Sequence, residues 1–164
     1  MKKEFYEKIS AFMKKHGSLS SAAVVLSKSI TFAIYLFYPV FLGLLYLQHS
    51  SFLLPAVLVP AVSFIVLSVV RRIINAERPY EKFDIPALYS KNKKRCSFPS
   101  RHTFSAFIIA FTVLYVSLPL GIALLFLSTT LAVLRVVCGV HFIKDVLAGF
   151  LFAVISALIG YIII

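Results

Sequence analysis

Cysteine is nearly absent. The two present, Cys96 and Cys138, show no metal-ligand pair spacing and make no disulfide framework. Acidic residues are scarce, six against seventeen Lys and Arg, for a net charge of +11. Charge of either sign is missing from whole stretches, among them 30–47 and 146–164. Long polar tracts are missing as well: 71–102 is the only one, so no soluble domain is left to carry a nucleic-acid-binding face. Nor is there an internal repeat or a low-complexity tract. What remains is 60% hydrophobic with a mean hydropathy of +0.95, well above the average usage of about 45–50%. Such a chain reads as a multi-pass membrane protein, with anionic lipid head groups or phosphate substrates as its expected partners rather than nucleic acid.

The apolar runs predict an all-α bundle of five spans: Ser21–Leu47, Phe52–Val70, Thr103–Leu118, Leu120–Leu134 and Val146–Ile164. Pro60 predicts a kink in the second, and Pro119 with Gly121 predicts a turn between the third and fourth. The third and fourth runs are short, so their helices should extend into the polar segments beside them. Ahead of the spans, Lys2, Lys3, Lys8, Lys14 and Lys15 interleave with Phe5, Ile9, Phe12 and Met13 at helical spacing. This predicts an amphipathic helix on the membrane surface within residues 1–19. The apolar run that follows is too long for the core of a cleavable signal. The whole, 1–164, reads as a single membrane domain with 71–102 as a polar loop at the site.

One stretch stands out, Leu134-Arg135-Val136-Val137-Cys138-Gly139-Val140-His141-Phe142-Ile143-Lys144-Asp145. Charged groups in a hydrocarbon slab cost roughly 2.5–3.5 kcal/mol each at its centre and less toward its edge, so three of them at such a junction imply a use. His141 and Asp145 are four apart, so on a helix the carboxylate can hold the imidazole. Counting crossings brings this stretch to the same membrane face as two others. One is Arg71-x6-Arg78-Pro79, with two guanidinium groups at the end of the second span. The other is Phe98-Pro99-Ser100-Arg101-His102, a proline-started helix N-terminus bearing a hydroxyl and an imidazole. Guanidinium forks suit phosphoryl oxygens, through charge-assisted bonds worth roughly 1.5–3 kcal/mol each. Backbone N–H groups at a helix start add an anion site. Two histidines allow one nucleophile and one acid.

In order, spacing and placement at helix ends, these three motifs resemble the signature of the type 2 phosphatidic acid phosphatase (PAP2) superfamily. The resemblance covers Arg71–Asp145. It implies a membrane lipid phosphatase in which His141 attacks phosphorus and becomes a phosphohistidine, oriented by Asp145. It implies that His102 protonates the leaving lipid alkoxide and later activates water. Arg71, Arg78, Ser100 and Arg135 would cradle the phosphoryl group, and no metal or other cofactor is used. Arg71 replaces the usual lysine and keeps the charge. Arg101 stands where the family has glycine, so its side chain must turn away or join the phosphate clamp. Leu134 replaces a serine and removes one hydroxyl.

Other readings of the same residues exist. Arg71 and Arg72 alone would be interfacial anchors. Lys91, Lys93, Lys94 and Arg95 read as a solvated run facing lipid head groups, and Glu77, Glu81 and Asp84 as balancing charge. His16 and His49 read as surface residues. His102, His141 and Asp145 could ligate zinc, but four arginines around the pocket argue against a cation. The alternative function is a non-enzymatic protein that binds or moves an anionic lipid; it would need the arginines but not His141, Asp145 and His102 together. The expected substrate is a lipid carrying a terminal phosphate, of the phosphatidate, phosphatidylglycerophosphate or polyprenyl pyrophosphate type. The expected location is a bacterial inner (plasma) membrane. The lysine-rich N-terminus and polar loop share the face of the motifs, which places the site on the cytoplasmic side by the positive-inside rule.

Overall fold

The computed structural model describes residues 3–85, 88 and 95–163. Met1, Lys2, Lys91, Lys93 and Lys94 lie outside them. The described residues form seven helices and no strand: α1 (Lys3–Lys15), α2 (Gly17–Leu47), α3 (Leu53–Ile74), α4 (Pro79–Lys82), α5 (Arg101–Val116), α6 (Leu118–Val137) and α7 (Ile143–Ile163). Four of them, α2, α3, α6 and α7, are long and apolar enough to cross a membrane.

The fifth expected span, α5, has only sixteen residues. At about 1.5 Å per residue it reaches roughly 24 Å, short of the ~30 Å hydrocarbon core. Its surroundings explain this. Ten of its sixteen residues are buried, from Thr103 to Val113, and a helix that is apolar all round belongs inside a bundle. α6 and α7 flank it, with α2 and α3 completing the ring. One core joins α2, α5 and α6 through Ile34, Phe41, Ala110, Val113 and Leu131. A second joins α3, α5 and α7 through Leu67, Phe104, Ile108 and Ala153. The outer faces of α2, α3 and α7 leave Phe32, Leu36, Ile65, Val69, Leu151 and Ile155 exposed. These exposed side chains suit the lipid.

Several helix boundaries differ from the sequence expectation. No turn forms at Pro119 and Gly121. The break is Ser117 alone, in extended backbone (φ −143°, ψ 107°), and Pro119 sits in the first turn of α6. Proline is preorganised there, because its missing N–H would have had no partner anyway. α3 continues as helix through Pro60, as α2 does through Pro39. α5 starts at Arg101 with Ser100 as its N-cap residue, so Pro99 precedes the helix rather than opening it. α7 starts at Ile143, which leaves His141 in the connection and Asp145 in the first turn. The two residues therefore do not share a helix face.

α1 is a helix as expected, but its inward face is Tyr6, Ser10 and Met13, at i, i+4 and i+7. Phe5 and Phe12 point outward. Tyr6 packs against Phe83 and Phe142, and its hydroxyl accepts the Ile143 N–H at 3.1 Å. That bond ties α1 to the end of the bundle where α7 begins. α3 ends, α5 begins and α6 ends at the same end. At the opposite end Phe52 lies against Tyr115 and Tyr161. His16 and His49 are exposed, as read from the sequence.

Candidate active site

The connection 138–142 is a tight turn held by its own backbone. Gly139 takes φ +72°, a left-handed conformation that suits glycine. The Val140 and His141 N–H groups both return to the Arg135 carbonyl, at 3.2 and 3.3 Å. This turns His141 back over the end of α6. Asp145, in the first turn of α7, accepts the Phe142 N–H on Oδ2 at 3.0 Å, half of a capping box. The same oxygen faces Nδ1 of His141 at 3.5 Å and accepts the hydroxyl of Ser97. Ser97 also lies 3.4 Å from His141 Nδ1. Asp145 and Ser97 are fully buried, and His141 is 2% exposed. Burial holds the His141 imidazole well below its ordinary range, down to about 4; Asp145 opposes that shift without reversing it, and Arg78 and Arg71 add to it. His141 is therefore a neutral base at pH 7, with Nδ1 turned toward the carboxylate and Nε2 left as its other ring nitrogen.

The arginines arrive from three elements. Arg71, in the last turn of α3, donates through Nη1 to the Pro99 carbonyl at 2.6 Å and to the Ser97 carbonyl at 3.3 Å. Arg78 donates from Nε to the Arg95 carbonyl and from Nη1 to the Val140 carbonyl, both at 3.2 Å. Arg135, at the end of α6, donates from Nη2 to the Thr31 hydroxyl of α2 at 3.2 Å. All three are buried. Arg71 thus braces the segment before α5, and Arg78 braces the turn carrying His141. Both also retain N–H groups beyond those bonds, since guanidinium has five.

Ser100 is fully buried. Its N–H donates to the Asp145 carbonyl at 2.9 Å, and its hydroxyl accepts from Thr103 at 3.0 Å. That main-chain bond ties the start of α5 to the start of α7. The approach is close enough that Gly149 has no room for a side chain: a Cβ would stand 2.6 Å from the Ser100 carbonyl. His102, in the first turn of α5, is half-buried, and its imidazole makes no hydrogen bond to the described residues. Arg101 is half-buried too, its guanidinium carbon 6.0 Å above the Phe64 ring.

The structure thus gathers Arg71, Arg78, Ser100, Arg101, His102, Arg135, His141 and Asp145 at one end of the bundle. Among the described residues no group of three or more His, Cys, Asp and Glu side chains could hold a metal ion. Glu81 does more than balance charge. Its carboxylate accepts the Arg78 N–H at 3.0 Å and the Arg95 N–H at 3.0 and 2.9 Å, fastening the two ends of the polar loop together. Sequence reasoning missed Ser97 and Thr31. Ser97 directly precedes Phe98-Pro99, which is a usable signal; Thr31, one hydroxyl in a long apolar run, offers a weaker one.

The family model of the PAP2 superfamily matches residues 52–164. No curated protein matches the chain. Among solved structures, LpxE of Aquifex aeolicus is similar, with 23% identity and a TM-score of 0.76 over 96% of this chain and 93% of that one. A transmembrane PAP2-type phosphatidylglycerolphosphate phosphatase from Bacillus subtilis is similar at 22% identity and a TM-score of 0.67, over 97% and 92% of the two chains. At these identities the likeness is one of fold.

Proposed function

The chain belongs to the PAP2 superfamily and is a multi-pass membrane phosphatase; on that premise we propose that it removes a terminal phosphate from a lipid through a phosphohistidine on His141. The observation that supports this most is the buried couple of His141 with Asp145 and Ser97, set among Arg71, Arg78 and Arg135. A site that only bound an anionic lipid would need the arginines but not a neutral imidazole aligned on a carboxylate.

In the first step Nε2 of His141 forms a bond to phosphorus while the bond from phosphorus to the lipid oxygen breaks. Asp145 accepts the Nδ1 proton in a hydrogen bond and stabilises the charge that the ring acquires. His102, protonated with the phosphate's negative charge beside it, gives its proton to the leaving oxygen, which departs as the lipid alcohol or, from a diphosphate, as the lipid monophosphate. In the second step His102 takes a proton from water, the hydroxide attacks phosphorus and the P–N bond breaks. Inorganic phosphate leaves and both imidazoles return to their starting states. Arg71, Arg78, Arg135, the Ser100 hydroxyl and the N–H groups opening α5 stabilise the spreading negative charge.

The candidate substrates are phosphatidate, phosphatidylglycerophosphate and polyprenyl pyrophosphate, each with its phosphate at the interface, where the site lies. The test is phosphate release by the purified chain against a panel of these lipids, with His141→Ala and His102→Ala beside it. His141→Ala should abolish release while remaining folded in the membrane fraction. His102→Ala should lose most turnover, and lose least with a leaving group that needs no proton. Acid-labile label from a 32P substrate should be retained by wild type after rapid quenching and not by His141→Ala. Full turnover by His141→Ala would overturn the proposal, as would activity that disappears in EDTA and returns with zinc.

A further inference from the structure

A cavity of about 730 Å³ opens beside the clamp, and Arg71, Arg72, Arg78, Arg95 and Arg101 all line it. Among the described residues that line it, none is acidic. Among the described residues, no carboxylate forms an ion pair with any of these five arginines. Glu81, in the loop beside Arg78, directs its carboxylate to the main-chain N–H groups of Arg78 and Arg95 instead.

The charge exceeds what the reaction needs. A phosphomonoester carries about −1.5 to −2 at pH 7, and Arg71, Arg78 and Arg135 already bring three positive charges to it. Arg72 and Arg95 are exposed at the cavity and Arg101 half-exposed, and nothing in the phosphohistidine scheme uses the first two. Arg95 and Cys96, side by side on the cavity wall, both take left-handed backbone conformations, φ +57° and +49°. Non-glycine residues adopt this region at a cost, and such strain concentrates at ligand sites. Here it is held in place from two sides, by Glu81 on the Arg95 N–H and by the Ala76 carbonyl on the Ser97 N–H at 2.8 Å. Below the arginines the wall turns apolar, with Phe64, Ile65 and Val69 of α3. An apolar wall of this kind suits a hydrocarbon chain whose head group lies among the guanidinium groups.

We propose that Arg72, Arg95 and Arg101 form a second anion subsite, which takes a further phosphate of the substrate next to the one held for cleavage by Arg71 and Arg78. The inference rests on the phosphatase reading and narrows it to lipids bearing two phosphates. The second group is either bonded directly to the first, as in a lipid diphosphate, or separated from it, as in phosphatidylglycerophosphate.

The test reads binding before turnover. Inorganic phosphate and methylenebisphosphonate, which carries two phosphoryl groups and no scissile P–O–P bond, are titrated against the purified full chain in nanodiscs. The bisphosphonate should bind about tenfold or more tightly than phosphate, and Arg72→Gln with Arg95→Gln should erase most of that ratio. Arg72→Lys with Arg95→Lys, which keeps the charge, should restore part of it. Equal affinities in the wild type, or an unchanged ratio in the glutamine variant, would overturn the subsite.

Phosphate release from farnesyl diphosphate against farnesyl phosphate, and from phosphatidylglycerophosphate against phosphatidate, separates the two sources. A kcat/KM preference of about tenfold should appear in one pair and fall in the glutamine variant. Turnover of all four with no preference would sink the subsite alone. Bisphosphonate selectivity without release from any of them would sink the phosphatase reading and leave the subsite standing.

Discussion

Ser97 donates its hydroxyl to Oδ2 of Asp145, the oxygen that also faces Nδ1 of His141 at 3.5 Å. The hydroxyl therefore draws on the negative charge that steadies the imidazole. Ser97→Ala should return that charge to His141. The acid limb of kcat should move upward in pH, because a less neutralised carboxylate stabilises the imidazolium better. With the ring less firmly oriented, kcat should drop about tenfold while KM changes little. An unaltered acid limb in Ser97→Ala would show that the serine only fills space.

The wild-type profile follows from burial. With its pKa lowered to about 4, His141 stays neutral until the pH approaches that value. Turnover limited by His141 should therefore hold through pH 6.5, the ordinary imidazole value, and fall only near pH 4. Stability has the same sign. Between 6.5 and 4 the unfolded chain takes up a proton that the folded site refuses, so this contribution is present above 6.5 and lost as the pH falls toward 4. A saturated-rate profile and a denaturation series over this range check both statements.

Arg78→Lys and Arg135→Lys keep the charge but lose the fork. Arg78 bridges the Arg95 and Val140 carbonyls, and Arg135 reaches Thr31 across the bundle. A lysine ammonium is a single point and cannot hold such separated partners. Each variant should lose about a hundredfold or more in kcat/KM, in line with removal of one preorganised donor. Orthovanadate, which resembles the five-coordinate transition state, should inhibit wild type more strongly than phosphate does. Near-full activity in both variants would make these arginines membrane anchors.

Gly149→Ala tests the seam between α5 and α7. The added methyl would stand 2.6 Å from the Ser100 carbonyl, a main-chain atom with little freedom to retreat. Separating the helices strains the bond from the Ser100 N–H to the Asp145 carbonyl. Overpacking of this kind costs about 1–3 kcal/mol. The melting temperature and kcat should fall together, whereas Gly43→Ala, with open space around it, should change neither.

Cys96 and Cys138 report on sidedness. Cys138 is 1% exposed and burial pushes its thiol up to about 11, so it should stay unreactive. Cys96 is half-buried on the cavity wall. A membrane-impermeant maleimide on intact cells should leave Cys96 unlabelled until the membrane is opened, as the positive-inside rule requires. Prompt labelling from outside, absent in Cys96→Ser, would put the site on the exterior.

The membrane character, most helix positions and the three motifs were legible because each depends on local pattern: charge-free runs, and charged residues where hydrocarbon should be. What escaped the sequence depends on distant contacts. Ser97 meets Asp145 forty-eight positions away, and Thr31 meets Arg135 across one hundred and four. His141 and Asp145 looked like neighbours on a helix face, but the backbone returning to Arg135 keeps His141 outside α7 and brings them together from loop and helix. Arg95 read as one of a run of solvated charges, because nothing local shows that Glu81 fastens its backbone beside a cavity. Pro119 read as a breaker because a one-residue break at Ser117 leaves no polar stretch to mark it.

The connections α3–α5 and α6–α7 both lie at the end where α1 docks, and this gives the reaction a direction in space. On the proposed reaction, water would be drawn from, and phosphate returned to, the aqueous compartment bordering that end. The dephosphorylated lipid, carrying less charge, would stay in the adjoining leaflet. Crossing to the other leaflet would then be a separate event. On the proposed function, the chain would draw lipid phosphate from one monolayer, and the supply of substrate to that monolayer, rather than its total amount in the membrane, would set the rate.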